Sequence, residues 1–137
     1  MNEELEQLLK NLRLKRILEL YEQLLHAAEK EDLSYTEFFL RLLRPQWQAC
    51  MESSLKWRIQ QAGMPELWSL ETFPYAKQPG VNRKQMRAFA ELDFIAKAEN
   101  IVFIGETGVG KTGLASGILL KALENGYRGK FVRAQDL

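Results

Sequence analysis

Apolar residues recur at helical spacing through the first part of the chain. One series consists of Leu5, Leu8, Leu9 and Leu12. A second series begins at Leu14 and continues to Ala28 with its phase shifted. One straight helix cannot keep both series on a single face, so we expect two helices with a break near residues 11–14.

A capping signal marks the start of the next helix. Ser34 can accept a hydrogen bond from the first helical turn, and Glu37 follows three residues later, as in a capping box. Helical spacing then continues to Ile59, with Pro45 inside the run. Because proline removes a backbone donor and clashes with the preceding turn, we expect a kink or a break at Pro45. Gly63 indicates the end of the helix.

These patterns predict an all-helical N-terminal domain over residues 1–64. Residues 65–80 hold three of the chain's four prolines and are expected to form an ordered connection. A further helix is expected to open near Asn82.

The pattern changes after residue 100. Residues 101–104 are an uninterrupted apolar run, which is typical of a strand buried on both faces. A helix is predicted from Lys111 to about Glu124, and a second strand over residues 130–133. Strand, helix and strand in this order favour a right-handed crossover and a parallel sheet. We therefore expect an α/β fold, with residues 81–137 forming the start of a parallel-sheet core of about two strands.

Composition adds little to this picture. The chain is 46% apolar and 27% charged, with a formal net charge of +1, so its total charge does not indicate a nucleic-acid partner. Cys50 is the only cysteine, which excludes an internal disulfide. The acidic N-terminus does not resemble a signal peptide, and no apolar run reaches the ~20 residues of a membrane span. A cytoplasmic protein without a membrane partner is expected.

One motif carries candidate chemistry. Residues 105–112 fit the phosphate-binding pattern G-x-x-x-x-G-K-[ST] between a predicted buried strand and a predicted helix. Glycines let backbone N–H groups turn toward phosphate oxygens, and a helix N-terminus favours an anion. The candidate nucleotide-binding residues are Gly105, Glu106, Thr107, Gly108, Val109, Gly110, Lys111, Thr112 and Gly113.

This motif predicts binding of ATP with Mg²⁺. Lys111 is the candidate catalytic residue because it can reach the β- and γ-phosphates, and Thr112 is the candidate magnesium ligand. Hydrolysis also needs an acidic strand end beyond the loop. No such pattern follows Thr112, and Asp136 falls where a capping role is favoured. We therefore expect a phosphate-binding loop whose hydrolytic half is missing, in a truncated gene product or in the N-terminal part of a longer ATPase.

Several segments together resemble the IstB-like ATPases, the transposition helper proteins of bacterial insertion sequences. They are the helix over residues 12–28, the helix start at 33–38, the segment 73–80 and the glycine-rich motif with Leu114-Ala115. The resemblance runs from about residue 10 to 137. It implies an AAA+ P-loop ATPase related to DnaC-type helicase loaders, with a small helical domain in front.

The resemblance also implies function. It implies ATP-dependent self-assembly as a homo-oligomer on DNA and recruitment of a transposase, with the N-terminal helices in assembly or partner contact. Two departures are Gly113, where the family usually has His, and Pro45 in a helix that is usually unbroken. The Walker B acid, sensors and arginine finger of the family would all lie after residue 137. Alternatives are a DnaC-like loader of a replicative helicase and a truncated, non-enzymatic helical interaction module.

Two further groups leave alternatives open. Lys77, Arg83, Lys84 and Arg87 surround the start of the predicted core and would face DNA in an oligomer, although a solvated surface is the commoner role of such residues. The tryptophans, among them Trp68, could stack on bases but are more typical of core or domain contacts. Phe73 and Tyr75 lie where an adenine pocket or an apolar junction could form.

Overall fold

All regular secondary structure in this protein is helical. The computed structural model describes residues 1–137, which form two compact units, Met1–Ser54 and Leu55–Leu137. The six α-helices are α1 (Glu3–Asn11), α2 (Lys15–Glu31), α3 (Tyr35–Ala62), α4 (Arg83–Ala90), α5 (Asp93–Ala96) and α6 (Lys111–Glu124). Two short 3-10 helices lie at Tyr75–Lys77 and Ala134–Asp136. None of the helices has the length and apolar character that a membrane crossing requires.

Two of the helix boundaries in the first unit lie where the sequence predicts them. The break between the two apolar series is confirmed, since α1 ends at Asn11 and α2 begins at Lys15. Leu9, Ile17 and Leu42 are the buried centre of a small core, one from each helix. The Ser34 cap of α3 is confirmed as well, because the Glu37 N–H donates to Ser34 Oγ at 3.2 Å.

Of the two alternatives expected at Pro45, a kink or a break, the break does not occur. α3 continues through this residue as one helix from Tyr35 to Ala62. Leu42 and Gln46, on either side of the proline, are both buried. We attribute the continuity to this packing, which holds the helix across the position where proline removes one backbone hydrogen bond.

Gln46 joins α3 to the start of α2. Its Oε1 accepts hydrogen bonds from the backbone N–H groups of Arg16 (3.0 Å) and Ile17 (3.3 Å). These two groups belong to the first turn of α2, and its N-cap residue, Leu14, makes no side-chain cap. A side chain distant in sequence therefore satisfies donors that a helix N-terminus leaves unpaired.

The second unit is built around α6. Leu114, Ile118 and Ala122 lie along its buried face and pack with Leu70, Phe73, Met86 and Leu92. The helix predicted to open at Asn82 is confirmed, and the Asn82 side chain accepts from the Gln85 N–H at 3.1 Å. The end of α6 is also confirmed, with Gly126 at a φ of +88° just beyond it.

The predicted α/β fold is wrong. The structure is all-helical: 63% of the residues are helical, and no residue belongs to a strand or a sheet. A strand needs a partner along its hydrogen-bonding edge, and residues 101–104 and 130–133 do not pair with each other. The apolar run 101–104 is also less buried than a central strand would be, with Val102 76% exposed and Ile104 92% exposed. The Phe131 N–H instead donates to the carbonyl of Ala62 at the end of α3 (2.8 Å).

Candidate functional site

The glycine-rich loop, residues 105–112, leads directly into α6. Gly108 and Gly110 have φ values of +86° and +91°, which lie in the left-handed region that favours glycine. Gly110 is the N-cap residue of α6, and no side chain caps this helix. The loop therefore brings a turn of exposed backbone to a helix N-terminus.

Backbone donors are available at this turn. The N–H groups of Gly108 and Gly110 donate no hydrogen bond to another protein atom. The same is true of the first turn of α6, where the bond from the Leu114 N–H to the Gly110 carbonyl (3.0 Å) is the first in the helical series. Unpaired N–H groups and the positive end of the helix dipole together favour an anion.

The Lys111 ammonium group lies against the loop. Its Nζ donates to the carbonyl oxygens of Gly105 (2.8 Å) and Glu106 (2.5 Å). Both acceptors are neutral carbonyl oxygens, and Lys111 is not a member of any ion pair in the structure. A phosphate oxygen would be a stronger acceptor than either carbonyl, because it carries a charge.

The remaining loop side chains face solvent. Glu106, Thr107 and Thr112 are exposed, and Val109 is partly buried. The Thr112 hydroxyl makes no hydrogen bond within the protein. It is therefore free to act as an oxygen ligand to a hard cation such as Mg²⁺.

Two pockets adjoin the loop. One, of about 430 Å³, lies between the loop and the start of α4, and its lining includes Val81, Asn82, Val109 and Lys111. The other, of about 860 Å³, is lined by Trp68, Gly108, Thr112 and Arg133 among others. Lys111 lines both pockets.

The structure brings the predicted loop residues together and leaves Asp136 apart. Asp136 lies in the last short 3-10 helix and lines a different pocket, with Gly63 and Lys130. It does not line either pocket beside the loop.

Two aromatic side chains from the segment before α4 lie against the glycine-rich loop and the first turn of α6, and the sequence did not predict these contacts. The Phe73 ring lies against Gly110, and the Trp68 ring lies against Gly113. Leu70 lies against Gly117 in the same way. The spacing of these glycines could have indicated the contact, because glycine inside a helix marks a close approach of another group.

An ion pair joins this segment to α6. Glu71 Oε1 lies 3.5 Å from Lys121 Nζ, and its other carboxylate oxygen accepts from the Ser69 hydroxyl. The hydrogen bond from Ser69 is the largest of the effects that hold the pKa of Glu71 below its ordinary value of 4.5. A hydrogen bond from its own backbone N–H and the charge of Lys121 act in the same direction.

The four basic residues near α4 are exposed. Lys77, Arg83, Lys84 and Arg87 lie in a stretch, residues 72–90, that contains no Asp or Glu. None of the four forms an ion pair. Arg83 stacks on the ring of Tyr75 with 5.2 Å from its guanidinium carbon to the ring centroid.

Comparisons with known proteins agree on one family. The model of the family described as IstB-like ATP binding protein matches residues 7–137. An insertion sequence IS21 protein of Pseudomonas aeruginosa, to which ATP binding is ascribed, is 37% identical over 129 residues, which cover 94% of this chain and 49% of that protein.

Two other relatives carry similar names. An IS5376 protein of Geobacillus stearothermophilus is 32% identical over 137 residues, and this alignment covers all of this chain and 55% of that protein. An IS21-like protein of Bacteroides fragilis strain YCH46 is 29% identical over 134 residues, with 98% of this chain and 67% of that protein covered. ATP binding is ascribed to both. The chain spans about half the length of the Pseudomonas aeruginosa relative. Since the family match extends over nearly all of its residues, this chain belongs to the IstB-like ATP binding protein family.

Proposed function

We propose that this chain binds ATP with Mg²⁺ through the glycine-rich loop and serves as an ATP-binding helper in the transposition of an insertion sequence. The observation that carries the proposal is the loop itself. It combines left-handed glycines, unpaired N–H groups and a lysine without a carboxylate partner at the N-terminus of α6. Membership of an ATP-binding family supports the identity of the ligand.

Each group of the loop would take a different part of the triphosphate. Lys111 would exchange the carbonyls of Gly105 and Glu106 for phosphate oxygens, which are charged acceptors. The loop N–H groups and those of the first turn of α6 would donate to the phosphates. Thr112 would give one oxygen to Mg²⁺, and phosphates and water would supply the others. The bound Mg²⁺ would neutralise part of the phosphate charge.

Metal dependence tests the role of Thr112. We expect ATP to bind more weakly when EDTA removes Mg²⁺, and Thr112→Ala to bind ATP–Mg²⁺ about as weakly as the wild type binds metal-free ATP. Thr36→Ala, at an exposed position on α3, is the matched control and is expected to leave the affinity unchanged. Equal affinities with and without Mg²⁺ in the wild type would remove the metal from the proposal.

DNA is the second proposed partner, reached by assembly of several copies. The support is the exposed basic surface made of Lys77, Arg83, Lys84 and Arg87. A single copy offers few phosphate contacts, whereas an oligomer repeats them along the duplex. Names of the relatives place them in insertion sequences, which are DNA elements.

The helical N-terminal domain, residues 1–64, is proposed to serve assembly or to recruit and regulate a transposase. Its support is a row of exposed apolar side chains at four-residue spacing on α3, namely Tyr35, Phe39, Leu43, Trp47 and Met51. A contiguous exposed apolar surface is typical of a protein-interaction site. Replacement of Phe39 and Trp47 by Ser is expected to abolish co-purification with an insertion-sequence transposase expressed together with this chain. Unchanged co-purification would separate this surface from that partner.

A further inference from the structure

Three glycines lie on one face of α6 and its N-cap. Gly110, Gly113 and Gly117 are spaced by three and four residues, which places them in one row along the helix. Each is in contact with a side chain from residues 68–73. Phe73 lies on Gly110, Trp68 on Gly113 and Leu70 on Gly117. The row of glycines is therefore a groove that one short segment fills.

The contact at Gly110 leaves no room for a side chain. A Cβ atom at this position would lie 2.8 Å from Phe73 Cε2 and 2.9 Å from Phe73 Cζ. Gly110 also has a φ of +91°, which other residues rarely adopt. The ring thus packs directly on the backbone of the residue that joins the loop to α6.

The Phe73 side chain is also in contact with neighbours other than Gly110. Its side chain is buried, and its ring meets Tyr75 edge to face at a centroid separation of 5.0 Å. Arg83 covers Tyr75 in turn. A ring fixed on this side cannot move away from Gly110 without disturbing the core around it.

Trp68 makes the matching contact one turn further on. Atoms of its six-membered ring lie 3.4–3.8 Å from the Cβ position of Gly113, which is ordinary van der Waals contact. Its Nε1 donates to Glu66 Oε2 at 2.6 Å, which fixes the orientation of the indole. Gly113 immediately follows Thr112, so the indole supports the turn that carries the proposed magnesium ligand.

We propose that Phe73 and Trp68 are positioning residues that hold the glycine-rich loop and the first turn of α6 in the form that binds phosphate. The proposal rests on the proposed function, because it assumes that the loop takes the phosphate groups of a nucleotide. The two rings contact the backbone of the loop and of α6. Removing them therefore lowers the affinity for the phosphate groups, whether or not a base is attached. A loop already ordered before binding loses less freedom when the ligand arrives.

The test compares two ligands that share the phosphate chain. ATP–Mg²⁺ and inorganic tripolyphosphate with Mg²⁺ are titrated by calorimetry into the wild type, Phe73→Leu, Trp68→Ala and Trp68→Phe. We expect Phe73→Leu and Trp68→Ala to weaken both ligands by the same factor, about tenfold. Trp68→Phe keeps a ring on Gly113 and is expected to restore most of the affinity for both.

Phe94→Leu is the matched control. Phe94 packs against the same core but contacts no glycine of α6. We expect it to lower the melting temperature and to leave both affinities at the wild-type level. Circular dichroism establishes that each variant is folded, and the Trp68 pair decides the matter if Phe73→Leu does not fold.

Several outcomes would overturn the positioning role. The first is wild-type affinity for both ligands in Phe73→Leu and Trp68→Ala. The second is an equal loss of affinity in Phe94→Leu, which would indicate general destabilisation. A loss confined to ATP would assign the rings to the base instead of the loop. If the wild type bound neither ligand, the proposed function itself would fail, and this inference with it.

Discussion

Gly110 is the residue on which the geometry of the glycine-rich loop depends most. It combines a left-handed φ with a neighbour, Phe73, that occupies the space of a side chain. We expect Gly110→Ala to lower the free energy of unfolding by about 1–3 kcal/mol, because the backbone strain and the clash add.

Gly80 provides the control for this substitution. Its backbone is not left-handed, and nothing lies within 4 Å of its Cβ position. Gly80→Ala is therefore expected to leave stability unchanged in urea denaturation. Equal denaturation midpoints for the Gly80 and Gly110 variants would contradict the described loop geometry.

Gln46 is the second residue with a specific structural role. Its Oε1 caps the first turn of α2, and its side chain is buried. We expect Gln46→Ala to cost about 1–2 kcal/mol of unfolding free energy, since it leaves two backbone donors unpaired. Gln48→Ala on the exposed face of α3 should change stability by less than about 0.5 kcal/mol. Chemical denaturation measures both, and similar losses would show that the cap has no specific role.

At the level of elements, α4 carries three exposed basic side chains in a stretch, residues 72–90, that contains no Asp or Glu, while Glu71 lines one pocket together with Arg83 and Arg87. We expect replacement of Arg83, Lys84 and Arg87 by Gln to weaken duplex DNA binding and to reduce its dependence on salt. The slope of log K against log salt should fall by about one for each DNA phosphate that the variant no longer neutralises.

The matched control removes the same charge elsewhere. Lys15, Lys30 and Lys56 are exposed and form no ion pair. Their replacement by Gln is expected to change affinity and salt slope far less in fluorescence anisotropy. The same loss in both triple variants would mean that DNA responds only to total charge, and the assignment to α4 would be wrong.

The Glu71–Lys121 ion pair connects the segment before α4 to α6. The strength of this ion pair depends on pH because Glu71 must be ionised to form it. The pKa of Glu71 is lowered in the folded protein, chiefly by the hydrogen bond from Ser69. Because the pKa of Glu71 is lower in the folded protein, ionised Glu71 stabilises the fold at pH values above its ordinary pKa of 4.5. This contribution is lost as the pH falls through the folded-state pKa.

The contribution of this exposed carboxylate is small, less than about 1 kcal/mol. We expect Glu71→Gln to melt slightly below the wild type at pH 7, and we expect the difference to shrink as the pH falls below 4.5 and to vanish below the folded-state pKa of Glu71. A difference in melting temperature that persisted at acidic pH would contradict the ionised role of Glu71. Thermal melts across this pH range make the comparison.

Local signals in the sequence predicted the helices well. The phase shift of the leucine series, the Ser34 cap and the Asn82 cap each mark a boundary that the structure confirms. These signals depend on residues close together in sequence. The strand predictions failed because a strand depends on partners distant in sequence, which the apolar character of residues 101–104 does not reveal.

The continuity of α3 through Pro45 shows the same limit in the opposite direction. Proline disfavours a helix interior locally, but packing of Leu42 and Gln46 outweighs that preference. The role of Phe73 is not predictable from the sequence for the same physical reason. Its contact with Gly110 joins residues far apart in sequence, and only the unusual row of glycines in α6 hints at it.

For the whole molecule, the sequence predicted the family correctly, and it misjudged the architecture. The family followed from segments spread over the chain, and the match over residues 7–137 confirms it. The α/β expectation came from two short segments that lie outside any sheet. The role of residues 105–112 as a nucleotide site stays a prediction, as does the division into residues 1–64, 65–80 and 81–137.

Calorimetric titration of ATP–Mg²⁺ into the wild type and Lys111→Ala tests the central claim most directly. Because the proposed site uses the Lys111 ammonium for charge-assisted hydrogen bonds to phosphate, we expect its removal to weaken binding by at least about tenfold. Lys97→Ala removes an exposed lysine of the same unit and is expected to bind like the wild type. Equal binding by the Lys111 variant and the wild type, or no binding by a folded wild type, would contradict the account.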